Sequence, residues 1–136
     1  MWRARQLAAH SKFRACSDRY NSVVLQAPDS ENWLVYLLAA TVKRELVIGG
    51  HHRFLVSADG SEILEAKALS QSCLTIPFDP KSQMVVFTQI ASDEPLETSV
   101  LLSLQVDKPI AFRVPNGSIW MATRGHLSRV REGPEN

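Results

Sequence analysis

The sequence predicts an α+β protein: an N-terminal helix packed on a curved antiparallel β-sheet of about eight strands, with a cystatin-like fold or a partly open barrel as variants. Three observations carry this. Apolar or small side chains at Trp2, Ala9, Phe13, Cys16 and Tyr20 fall on one face of a helix. Most of the chain after residue 20 reads as short runs rich in Val, Leu, Ile and aromatics, separated by turn residues. The helical crossovers that a parallel sheet requires are not apparent, which disfavours a βαβ architecture.

The elements follow in order. The helical stripe predicts one amphipathic helix over 2–18, with Arg3, Arg5, Lys12 and Arg14 mostly off the apolar face. Residues 21–27 and 33–42 are strand-like and are joined by Pro28-Asp29-Ser30, which supplies turn chemistry. Residues 51–58 alternate, placing His52, Phe54, Val56 and Ala58 on one side and His51, Arg53 and Ser57 on an open face. Asp59-Gly60 then leads into 61–68, and Asn116-Gly117 joins 110–114 to 118–123; both predict two-residue type I′ hairpin tips. Between Pro80 and Pro109, residues 84–91 and 96–106 read as further strands. The whole is expected to form one domain over 1–136, with the helix in 1–20, the sheet in 21–132 and a frayed tail at 133–136.

Charge and hydropathy exclude several roles. Fifteen Lys and Arg against fourteen Asp and Glu give a net charge of +1, so no global field draws the chain to nucleic acid or anionic lipid. No run without a charged residue or proline exceeds eleven residues, the length of 32–42, against roughly 20 for a membrane span. No continuous apolar stretch follows the basic residues near the start. The chain as given is therefore expected to be cytoplasmic, or exported if a signal segment precedes this numbering.

A pattern runs through most of the chain, residues 20–130. It comprises Tyr36-Leu37-Leu38-Ala39-Ala40-Thr41, Gly49-Gly50-His51-His52-Arg53, Asp59-Gly60 and Leu69-Ser70-Gln71-Ser72-Cys73-Leu74, then Pro95-Leu96-Glu97, Lys108-Pro109 and Gly117-Ser118-Ile119-Trp120. This resembles a family of small uncharacterised bacterial proteins, and the resemblance implies a common fold but no known activity. Separately, the stretch from Arg53 to Gly60 is similar to the strand-turn-strand of secreted peptidase-propeptide modules.

Gly49-Gly50-His51-His52-Arg53 is the most unusual segment. Two glycines before a strand weaken pairing and point to a required backbone conformation or a close approach. His51 and Arg53 then project from one side, where they could hold an acidic group or orient Glu97. The structural alternative makes His52 a hydrogen-bonded core residue beside Phe54 and Val56. A metal would need further ligands from Glu97, Cys73 or His126, and none stands at a recognised spacing.

Cys16 and Cys73 are the only thiols and admit a single intramolecular disulfide; in a cytoplasmic chain two buried free thiols are the default, in an exported one a bridge. Cys73 with His51 or His52 as base is a nucleophile pairing in residue type only. The basic C-terminal quarter, Arg113, Arg124, Arg129 and Arg131 with Trp120 and His126, lacks any nucleic-acid-binding signature.

The leading expectation is a non-catalytic module binding a protein or small ligand through Gly49, Gly50, His51, Arg53 and Glu97, with no cofactor, no membrane partner, nucleic acid disfavoured and a homo-oligomer left open. The alternative is a small hydrolase or metal-dependent enzyme using His51 or His52, Glu97 and Cys73.

Overall fold

The computed structural model describes residues 1–40, 45–70, 73–77 and 79–134. The chain is α+β and forms two compact units, Met1–Ile76 and Pro77–Asn136. In place of one large sheet, the strands are divided between two four-stranded sheets and a two-stranded pair, and neither four-stranded sheet is closed into a barrel.

In the first unit α1 (Trp2–His10) precedes β1 (Tyr20–Gln26), β2 (Trp33–Ala39), β3 (Glu45–Val47), β4 (His52–Val56) and β5 (Ile63–Ala68), and β6 (Thr75–Pro77) ends at the boundary between the units. The main sheet has the order β1-β2-β4-β5 with every pairing antiparallel, while β3 and β6 pair separately. Period-2 alternation places Val35 and Leu37 of β2 and Phe54 and Val56 of β4 in the core. Two small residues four apart, Ala4 and Ala8, let the helix backbone come down onto that face, and both are fully buried.

The helix ends at His10, eight residues short of the expected limit at 18. Ser11 takes an extended conformation and its hydroxyl donates to the Ala8 carbonyl, closing the last turn. Phe13 still packs against the core, but from non-helical backbone. The predicted strand over 33–42 stops at Ala39, and its residues 41–42 lie outside the described residues, as do Thr41, Gln71 and Ser72 of the quoted pattern.

The β4–β5 connection is wider than the two-residue tip expected at Asp59-Gly60. Ser57 N–H donates to the Glu62 carbonyl at 2.9 Å, so 58–61 form the loop, and only Gly60 has a positive φ, +75°. Asp59 accepts from Ser57 Oγ, Ser61 Oγ and Ser61 N–H, bonds that stabilise this longer turn. A Cβ at Gly60 would lie 2.7 Å from Arg3 Cβ, so this glycine is also the seat of α1.

The second unit contains β7 (Val85–Thr88), α2 (Glu97–Val106), β8 (Ile110–Arg113), β9 (Ile119–Thr123) and β10 (His126–Arg131), with sheet order β10-β9-β8-β7. Two expectations are corrected here. Residues 97–106 are helical rather than a strand, and β7 and β8 are parallel, so β7-α2-β8 is a crossover unit of the kind the sequence seemed to lack. The buried residues of α2 are Ser99, Leu102 and Ser103, a helical stripe in which two of three members read as polar. Ser103 Oγ donates to the Val100 carbonyl, which permits its complete burial.

The turn at Asn116-Gly117 is likewise not type I′. Val114 N–H donates to the Ser118 carbonyl and Gly117 N–H to the Val114 carbonyl, giving a three-residue loop with only Gly117 at positive φ. Pro115 explains this, since its fixed φ suits the first corner of a type I turn. The two-residue tip with both residues at positive φ is Arg124-Gly125, between the paired Thr123 and His126. Of the expected tail, Gly133 donates its N–H to Ser118 Oγ, and 135–136 lie outside the described residues.

Candidate functional site

Gly49 to His52 enters β4 and is where backbone from four parts of the first unit converges. Ile48 and Gly49 both donate N–H to the Leu74 carbonyl, at 2.8 and 3.0 Å, fixing the segment that carries Cys73. Gly50, at φ +89°, donates to Ser70 Oγ at 2.7 Å. A Cβ on Gly50 would lie 2.5 Å from Cys16 Cβ and 2.9 Å from its Sγ. At Gly50 the left-handed backbone and the close approach have one cause, the packing of Cys16, whereas Gly49 is not among the glycines at positive φ.

Cys16 and Cys73, 57 positions apart in sequence, are joined by a disulfide with Cα atoms 5.4 Å apart. The cytoplasmic default of two free thiols gives way to this bridge. It ties the stretch between α1 and β1 to the stretch between β5 and β6. Cys16 N–H also donates to the Tyr20 hydroxyl at 2.7 Å.

His51 was expected on an open face with Arg53, but it is 9% exposed. Its Nδ1 accepts the Ala39 N–H at 3.0 Å and its Nε2–H donates to the Val47 carbonyl at 3.2 Å, so the two partners fix the neutral tautomer protonated at Nε2. The ring joins the last residue of β2 to the last residue of β3. Burial pushes its pKa below the ordinary value; the Val47 carbonyl opposes this and His52 reinforces it.

His52 is 7% exposed and lies in the core beside Phe54, as the alternation predicted. Its Nε2–H donates to the Arg14 carbonyl at 3.0 Å, and its ring lies 4.7 Å from Phe13 and 6.5 Å from Tyr20. Burial lowers its pKa too, with the Arg14 carbonyl opposing. Arg53 stands on β4 opposite Tyr36 and Lys67, half-buried, with its guanidinium 4.0 Å from the Glu65 carboxylate.

Glu97 belongs to the second unit, where it is an exposed residue in the first turn of α2. A carboxylate there complements the positive end of the helix dipole. The expected opening of a long strand at Pro95-Leu96-Glu97 is thus a helix start, ordered by the buried Gln89, whose Oε1 accepts the Leu96 N–H.

The residues brought together are therefore Gly49, Gly50, His51 and His52 with Cys16 and Cys73. Three contributors were named in the sequence but not assigned to this segment: Tyr20, Ser70 and Arg14, the last through its carbonyl. Ser70, three residues before Cys73, was the one with a local signal. Chemically, the bridge removes Cys73 as a nucleophile, and both His51 ring nitrogens are engaged by backbone. Among the described residues no three His, Cys, Asp or Glu groups converge in a way that could hold a metal ion, and no described helix is long and apolar enough to cross a membrane. No protein-family model, curated protein or solved structure matches the chain.

Proposed function

We propose that the chain is a non-catalytic binding module that works in an oxidising compartment, and that Gly49 to His52 is its scaffold rather than its contact surface. The observation that supports this most is the double engagement of His51 by Ala39 and Val47 beside the Cys16–Cys73 bridge. A hydrolase built on these residues would need a free thiol or a ring nitrogen open to substrate. Here the thiols are spent on each other and His51 on backbone. The closed Cys16–Cys73 bridge is what supports an oxidising compartment.

The test is the thiol state in cells that naturally make the protein. Rapid alkylation before lysis, followed by mass measurement of the intact chain, should find both cysteines unmodified until reductant is added. Recovery of the chain with two alkylated cysteines would remove the proposal.

A further inference from the structure

The first nineteen residues carry a local charge that the net value conceals. Arg3, Arg5, Lys12, Arg14 and Arg19 are all exposed, against one acidic residue, Asp18. Among the described residues none of the five forms a salt bridge, and only Arg3 has an acidic neighbour, Asp59 in the β4–β5 loop, whose carboxylate its charge favours. Arg3 and Arg5 lie at the N-terminal end of α1, and the first turn of that helix has no acidic residue. Cations there oppose the helix dipole, so helix stability does not account for them.

The orientation of α1 decides what these side chains face. Ala4 and Ala8 are fully buried against β2 and β4, which turns the opposite face outward. At 100° per residue Gln6 lies at the centre of that outward face with Trp2 and His10 flanking it, Ala9 lies beyond Trp2 and Arg3 beyond His10, and Arg5 stands at the margin on the Trp2 side. Trp2 is 69% exposed and the neighbouring Met1 side chain 68%. An exposed indole with an arginine on either side of it suits a helix that lies in the headgroup layer, where the ring enters the interface and the guanidiniums meet lipid phosphates.

We propose that the outward face of α1, with the basic stretch that follows it, docks on the surface of an anionic lipid bilayer. Contact at a surface needs no apolar span, so the short apolar runs of the chain do not oppose it. A nucleic acid would also meet the cations, but one exposed indole beside a methionine suits an apolar interface better than a run of stacked bases. This inference stands on α1 and not on the bridged segment, so it does not depend on the reading of Gly49 to His52.

The experiment is sedimentation of the oxidised protein with vesicles of phosphatidylglycerol and phosphatidylcholine, and with vesicles of phosphatidylcholine alone. Binding is expected to the anionic vesicles only and to fall with salt. The double variant R3Q/R5Q should bind roughly thirtyfold more weakly, and Trp2→Ala should weaken binding while abolishing a blue shift of tryptophan emission. If α1 fails to dock in R3Q/R5Q, seen as loss of amide protection over residues 5–10, the variant K12Q/R14Q/R19Q replaces it and should likewise lose binding. No sedimentation with anionic vesicles would overturn the proposal. So would binding indifferent to these substitutions, or tighter binding to a single- or double-stranded oligonucleotide than to the vesicles.

Discussion

Cys16 occupies the space in which Gly50 would carry a side chain: a Cβ there would fall 2.5 Å from Cys16 Cβ, and Gly50 is held at φ +89°. Strain and overlap act together at this position. Gly50→Ala should therefore destabilise the first unit by about 2–4 kcal/mol, from a left-handed alanine plus overpacking. Urea unfolding of the oxidised protein measures it. A change below about 0.5 kcal/mol, the range of ordinary surface substitutions, would mean that Cys16 yields.

The bridge closes a long loop, Cys16 and Cys73 being 57 positions apart in sequence. Chain entropy assigns such a loop about 4 kcal/mol. The variant C16S/C73S is expected to lose that much in urea unfolding. Equal midpoints for the variant and the oxidised parent would show that the interlocking hydrogen bonds at Leu74, Ser70 and Arg14 hold these segments alone.

His51 and His52 give the fold a pH dependence with a definite sign. Both are held below the ordinary imidazole pKa of 6.5 by burial, so the unfolded chain takes up protons first as the pH falls. Their contribution is fully present above 6.5 and is lost as the pH drops toward their folded values. Asp59 acts lower, because hydrogen bonds from the Ser61 hydroxyl, the Ser57 hydroxyl and the Ser61 N–H, with a smaller contribution from the Arg3 charge, bring its pKa to about 2. Its contribution is present above 3.8 and is lost as the pH falls through about 2. Melting temperatures should thus fall in two stages on acidification, and Asp59→Asn should blunt the lower stage alone.

Replacing His51 by Leu separates its structural role from its charge. The Ala39 N–H and the Val47 carbonyl would lose their partner, at a cost of about 2–4 kcal/mol. The upper stage of the pH dependence should shrink with it. A variant as stable as the parent at pH 8 would show that water or neighbouring backbone replaces the ring.

Local pattern made some of this legible and hid the rest. His52 could be read as core because it alternates with Phe54 and Val56, and alternation is a property of the strand itself. His51 could not, because Ala39 and Val47 come from two other strands and only the folded chain brings them to the ring. The helix α2 was hidden by Ser99 and Ser103, whose hydroxyl groups read as polar in the sequence although both residues are buried. Pro115 was a local signal overlooked beside Asn116-Gly117. The Cys16–Cys73 pairing was the only intramolecular one available, but nothing in the spacing chose between thiols and bridge.

The true type I′ tip carries the last prediction. Arg124 and Gly125 both have positive φ, 48° and 80°, between the paired Thr123 and His126. Gly125 is fixed there from outside the hairpin, since its N–H donates to Ser103 Oγ and a Cβ would touch Leu104 at 3.0 Å. Arg124 lacks glycine's freedom, and its strain is offset by a contact of its Nε with Asp107 Oδ1 at 3.2 Å. Both side chains of that pair are 76% exposed, so it contributes only about 0–1 kcal/mol. Asparagine tolerates left-handed backbone far better than arginine, and Asn-Gly is the favoured pair for this turn. Arg124→Asn should therefore stabilise the second unit by about 0.5–1 kcal/mol in spite of the lost ion pair. Thermal unfolding in high salt, where the ion pair is screened, should show the larger gain. A lower melting temperature at high salt would mean that the arginine does more at this tip than pair with Asp107.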